Sequence, residues 1–284
     1  MRGGSAVAIV LACLMVAACG GSSDDDADAA SKGTASSSST PESTPIPAPP
    51  RCMPETEGAE AVDIPATDGG ARLAGVIAGE GPRSLLLIHG TSSNGRCAWE
   101  KEVPALAAEG FRVLAIDLAC VGDSDCPEDI STDDSVRDIA SSVAFLRAGG
   151  ASSVAVVGAS YGTAPTIIAA GAPDVDADAF IALSPGRFDD TIRPENAPKP
   201  RTVMAARKTV HAPMLYVVAR SDQLSSVPRT RQLHRATAAK GSELAIVAGG
   251  HAQSMLYPED ALFADPPGGP IWQRVLTFLD GHLT

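Results

Sequence analysis

Gly158-Ala159-Ser160-Tyr161-Gly162 follows the apolar run Val154-Ala155-Val156-Val157 and precedes the helix-forming stretch Thr163 to Ala170. A GxSxG pattern between a buried strand and a helix marks a turn so tight that its serine takes a strained backbone conformation. The flanking glycines remove side chains that would collide there. Ser160 Oγ is thereby lifted clear at the end of a strand, as a nucleophile must be. Five residues of this kind also occur in ordinary strand-to-helix turns, so the weight of the reading falls on what the rest of the chain supplies.

A serine hydroxyl is a poor nucleophile at neutral pH and needs a histidine base, which in turn needs an acid to orient it. Both are found downstream. Pro213 to Ala219 reads as a buried strand that ends at Arg220-Ser221-Asp222, just before another helical stretch. A further strand, Leu244-Ala245-Ile246-Val247, runs into Gly249-Gly250-His251, which puts an imidazole on a loop at the same edge of a parallel sheet. The candidate order is Ser160, Asp222, His251. Asp190, after the strand Ala179 to Leu183, is the alternative acid; the stronger strand precedes Asp222.

Acyl chemistry also needs two N–H groups aimed at the oxygen on which charge develops. Leu85-Leu86-Leu87-Ile88-His89-Gly90-Thr91 supplies a strand and turn that set the N–H of Thr91 opposite that of Tyr161. From about residue 59 to its end the chain resembles the serine-dependent α/β-hydrolases. The resemblance is carried by the Ser-Asp-His order, His89-Gly90, Cys97-Ala98-Trp99 after that turn, the strand Phe111 to Asp117 and the turn Gly122-Asp123-Ser124. It departs at Ala119-Cys120-Val121, where an Arg-Gly-aromatic run is common. The resemblance implies a catalytic Ser160, Asp222 and His251, an oxyanion hole at Thr91 and Tyr161, and a bracing role for His89. It implies no metal and no organic cofactor. Trp99 is expected to pack a helix start against the sheet, and Asp117 to bind loop backbone.

Strand segments at Ala59 to Ala66, Ala71 to Ala78, Ser84 to Ile88, Arg112 to Ile116, Ser153 to Val157, Ala179 to Leu183, Met214 to Ala219 and Glu243 to Val247 alternate, after the first three, with helical stretches at Glu100 to Glu109, Thr132 to Arg147, Ser160 to Ala170, Val227 to Ala239 and Ile271 to Leu283. Such alternation gives an α/β fold with a mostly parallel, doubly wound sheet. The segment Gly186 to Ala212 is too short for a large cap domain.

Residues 1–18 read as a signal peptide, because Met1-Arg2 and the apolar stretch Ala6 to Ala18 are too short for a membrane span of about 20 residues. Val16-Ala17-Ala18-Cys19 resembles a bacterial lipobox, which makes Cys19 the site of lipid attachment and the membrane a partner on the extracytoplasmic side. The competing reading is an ordinary signal peptide ending near a cysteine. Residues 19–58 are rich in Ser, Thr, Ala, Asp and Pro and form a tether; residues 59–284 form one hydrolase domain. With Cys13 and Cys19 accounted for, Cys52, Cys97, Cys120 and Cys126 are an even set in an oxidising compartment, which favours two disulfides. Three pairings are open; loops leaving neighbouring strands favour Cys97 with Cys120 or Cys126. No CxxC spacing suggests zinc.

The formal charge of −12 argues against a nucleic-acid partner. Together these features describe a cell-envelope serine hydrolase of small or lipid-like carboxylic esters. An amide or peptide hydrolase or an acyltransferase would use the same triad, and a non-catalytic binding lipoprotein would use the same fold. Acyl and alcohol specificity and oligomeric state are not readable from these residues.

Overall fold

In the computed structural model, residues 58–67, 70–91, 94–128, 132–186, 203, 205–206, 208–258 and 267–284 are described. The signal peptide, Cys19, nearly all of the tether and Asp190 lie outside them.

Eight strands form one sheet: β1 Ala59–Ile64, β2 Leu73–Ala78, β3 Arg83–Ile88, β4 Arg112–Ile116, β5 Ser153–Ala159, β6 Ala179–Leu183, β7 Met214–Ala219 and β8 Glu243–Val247. Their spatial order is β1-β2-β4-β3-β5-β6-β7-β8. The first two join antiparallel, and every pair from β4 through β8 is parallel. The α/β, doubly wound reading therefore holds.

Beyond their first one or two residues the central strands β3, β4 and β5 have no polar side chain, because both faces of the sheet are covered. Leu85 and Leu87 of β3 point to one side, where they meet α1 (Glu102–Ala108) through Val103 and Leu106, and the C-terminal helix Gly269–His282 through Trp272, Val275 and Leu279. Leu86 and Ile88 point the other way, toward α2 (Thr132–Ala148) through Ile139 and Val143 and α3 (Thr163–Ala169) through Ile167. A helix between β7 and β8, α4 (Val227–Ala236), adds Leu233 to that second face; the C-terminal helix is α5. Trp99 is buried against the first face, so it packs the sheet as expected.

The registers Ile88 with Gly158, Ala159 with Leu183, Leu183 with Val217, and Ala219 with Val247 bring the carboxyl ends of β3, β5, β6, β7 and β8 to a common edge. In open α/β sheets ligands bind at that edge. The helix expected from Ser160 starts later: Ser160–Gly162 is a 3-10 turn and α3 begins at Thr163. The reason is local, since Ser160 has φ +51° and a right-handed helix cannot include it.

Candidate active site

The turn after β5 is made possible by its two glycines. A Cβ on Gly162 would stand 2.5 Å from the His89 carbonyl oxygen and 2.7 Å from that of Ile88, and one on Gly158 would collide with Thr166 and with the Gly162 carbonyl. The strand, the turn and the end of β3 are thus in backbone contact. Ser160 is held in the left-handed region, where a non-glycine residue costs about 1–2 kcal/mol. The Thr163 hydroxyl donates to the Ser160 carbonyl at 2.6 Å and helps to hold it there.

His251 lies on the loop after β8, with Nε2 2.9 Å from Ser160 Oγ and Nδ1 2.8 Å from Asp222 Oδ2. A carboxylate only accepts, so Nδ1 carries the hydrogen and Nε2 is left bare to accept from the serine. The structure therefore brings together the three residues that the sequence singled out. The loop is braced on both sides of the ring: Ser254 Oγ accepts from the His251 N–H at 2.7 Å and donates to its carbonyl at 2.8 Å. Gln253 reaches the Ala98 carbonyl at 3.4 Å, tying this loop to the turn Gly95–Trp99.

The Asp222 carboxyl is only 1% exposed. Burial pushes its pKa up, but hydrogen bonds from His251 and the Leu224 N–H outweigh that and hold it below the ordinary carboxylate value. Leu224 and Ser225 N–H groups both donate to Oδ1, at 2.9 and 3.2 Å, so His251 has Oδ2 as its acceptor.

Thr91 stands in the exposed turn after β3. A Cβ on the preceding Gly90 would lie 3.2 Å from Ser160 Cβ and 3.8 Å from its Oγ, so this turn passes against the serine. Tyr161 follows Ser160, and its ring turns away toward α2: burial raises the phenol pKa, opposed by a hydrogen bond with Ser135 and reinforced by the Asp138 charge. His89 is buried and bridges two loops. Its Nδ1 donates to the Gly90 carbonyl at 2.6 Å and its Nε2 accepts from the Leu118 N–H at 3.2 Å, a pattern that only the neutral ring satisfies. Burial lowers its pKa in agreement.

The loop after β4 is organised by Asp117, which accepts from the Arg96 N–H at 2.6 Å, from its guanidinium, and from the Asp123 N–H at 3.0 Å. The expected disulfide between Cys97 and this loop is not formed. Cys120 pairs with Cys126, six residues away. The loop folds back on itself, with the Cys120 N–H donating to the Asp125 carbonyl at 3.0 Å, which leaves both sulfurs facing each other rather than β3. Cys97 is also disulfide-bonded, and its partner lies outside the described residues.

Two features escaped the sequence reading. Ser184, after β6, carries no motif, yet it sits beside Asp222 and the histidine loop. Glu102, at the start of α1, is buried and accepts from Tyr257 Oη at 2.7 Å, joining α1 to the chain just after the histidine loop. Neither residue type signals its place, because only the folded loops bring the partners together. Among the described residues no cluster of His, Cys, Asp and Glu is arranged to hold a metal ion.

A model of the alpha/beta hydrolase family matches residues 85–280. Bifunctional epoxide hydrolase 2 of Mus musculus is 48% identical over 61 residues, which is 22% of this chain and 11% of that protein. Its counterpart in Sus scrofa is 36% identical over 96 residues, 33% of this chain and 16% of that protein. The match thus spans under a fifth of the length of these curated relatives. Among solved structures, an esterase of Pyrococcus furiosus has a TM-score of 0.64 at 21% identity, covering 80% of this chain and 93% of that one. A predicted CIB-like hydrolase from Thermoplasma acidophilum has a TM-score of 0.56 at 21% identity, covering 78% and 97%.

Proposed function

From the premise that this chain belongs to the alpha/beta hydrolase family, we propose that it is a serine hydrolase of carboxylic esters. The observation that carries the proposal is the continuous relay from Ser160 Oγ through His251 to Asp222, at 2.9 and 2.8 Å, on the ligand-binding edge of the sheet. His251 Nε2 takes the Ser160 proton as Oγ attacks the ester carbonyl carbon. The N–H groups of Thr91 and Tyr161 receive the oxyanion, which such donors stabilise by about 3 kcal/mol each. The imidazolium then protonates the departing alkoxide, and Asp222 stabilises the charged ring through Nδ1–H. Water, deprotonated by the same nitrogen, cleaves the acyl-enzyme and restores the serine.

A serine at the nucleophile position favours this chemistry over that of the epoxide hydrolases it partly matches, because the resemblance assigns that branch an aspartate there. The test is labelling by a fluorophosphonate probe followed by turnover of an ester series of increasing acyl length. Labelling at Ser160 together with ester turnover supports the proposal; an unlabelled, well-folded protein defeats it. The proposal extends to location: Val16-Ala17-Ala18-Cys19 favours a protein anchored by lipid at Cys19 on the extracytoplasmic face of the membrane. Cys19→Ala is expected to move the protein out of the membrane fraction, and a mature N-terminus found unmodified at another residue would overturn this part.

A further inference from the structure

At the end of β6, Ser184 is fully buried and has φ +57°, a left-handed conformation that a serine adopts only under constraint. Its own N–H donates to the Val217 carbonyl at 2.9 Å, which fixes it beside β7, the strand that leads to Asp222. Its hydroxyl accepts at 2.8 Å from the N–H of Ala252, the residue after His251. Ala252 is itself left-handed, at φ +54°. The same hydroxyl donates to Met255 Sδ at 3.8 Å, farther along the histidine loop. Ser184 Oγ therefore ties both Ala252 and Met255, on the turn that follows His251, to the end of β6.

We propose that Ser184 is a positioning residue for the triad, its hydroxyl locking the His251 loop to the end of β6, beside the strand that leads to Asp222. This inference rests on the serine-hydrolase reading. The effect of Ser184 therefore runs through the orientation of His251. Removing the hydroxyl frees the histidine loop to drift from alignment with Ser160 and Asp222.

The variants are Ser184→Ala and Ser184→Gly. Glycine tolerates φ +57° without strain, so it removes the hydroxyl while relieving the backbone, and it serves where alanine fails to fold. For each, kcat and KM for an ester are measured across pH 5.5 to 9 in the full mature protein, with the fluorophosphonate labelling rate and the low-field proton resonance of the His251–Asp222 hydrogen bond. Both variants are expected to lose roughly threefold to tenfold in kcat, the scale of one neutral hydrogen bond. KM should stay within about twofold, since removing a group that acts only in the transition state lowers kcat alone. The low-field resonance should shift or broaden. Wild-type kcat and resonance in both variants would overturn the proposal, as would full activity in Ser184→Gly beside loss in Ser184→Ala, which would make the backbone rather than the hydroxyl the relevant element. If the wild-type protein is not labelled by the probe, the ester-hydrolase reading fails instead, and an altered resonance in the variants still supports the positioning role.

Discussion

Ser160 combines a strained φ of +51° with a hydrogen bond to His251 Nε2, so its Oγ has one orientation in which it both exposes a lone pair and hands over its proton. Ser160→Ala is expected to abolish probe labelling and reduce ester turnover by at least about a thousandfold while leaving the fold intact. Near-normal turnover in that variant would show that the serine is not the nucleophile. Asp222→Asn keeps the shape of the acid but offers an amide to Nδ1, which favours the wrong tautomer; a loss of about a thousandfold or more is expected from steady-state rates. If Asp190→Asn were the damaging change instead, the acid would belong after β6. These three positions were readable because each ends a strongly apolar strand in a recognisable way, Ser160 between glycines and His251 after a Gly-Gly pair. Ser184 was not, since a serine after a strand is commonplace. Its meaning comes from Ala252 and Met255, which lie far along the chain and meet it only in the fold.

At the level of single elements, the β5 turn works because backbone packs directly on backbone. Gly162→Ala places a methyl group 2.5 Å from the His89 carbonyl oxygen, a strand-end atom that cannot swing aside as a side chain would. We expect a loss of about 1–3 kcal/mol, as for other overpacked sites, and a further drop in kcat as the Gly90-Thr91 turn is displaced. Urea unfolding and ester kinetics together would detect this; a variant unchanged in both would mean that the turn relaxes freely. The alternation of strand and helix was legible throughout, with strand ends misplaced by a residue or two. Cysteine pairing was not legible, because it depends on how the β4 loop curls around Asp117. Since Cys120 and Cys126 close a short loop, losing that bond should cost only about 2 kcal/mol by loop entropy. A Cys120→Ser, Cys126→Ser double variant should therefore keep most of its kcat, and a collapse of kcat would show that the bond holds the catalytic geometry in place.

Across the whole molecule, each face of the sheet carries a buried acid whose carboxyl is pushed far up by burial, Glu102 on one and Asp138 on the other. Glu102, beside Val103 on the α1 face, accepts from Tyr257; Asp138, beside Ile139 on the α2 face, accepts from the Ala119 N–H at 2.9 Å. Burial pushes both carboxyls up to about 7. In the unfolded chain they ionise near ordinary carboxylate values, so the folded state holds protons that the unfolded state has released. Their contribution to stability is therefore intact below about pH 4 and declines as pH rises toward 7. Above that, each disfavours the fold by an amount on the order of 3 kcal/mol. Asp222 runs the other way, with its pKa depressed, so its contribution fades only below the ordinary carboxylate range. Buried His89, held neutral, offsets part of the decline up to the ordinary imidazole value of about 6.5, because below it the unfolded chain takes up a proton that the fold refuses. The urea midpoint of the wild-type protein should thus fall from pH 5 to pH 8. Glu102→Gln, which keeps an oxygen for Tyr257 Oη but cannot ionise, should match wild type near pH 5 and exceed it at pH 8, and Asp138→Asn should flatten the curve in the same sense. Parallel slopes for wild type and both variants would mean that neither carboxyl resists ionisation in the fold, and the decline would have to come from groups elsewhere.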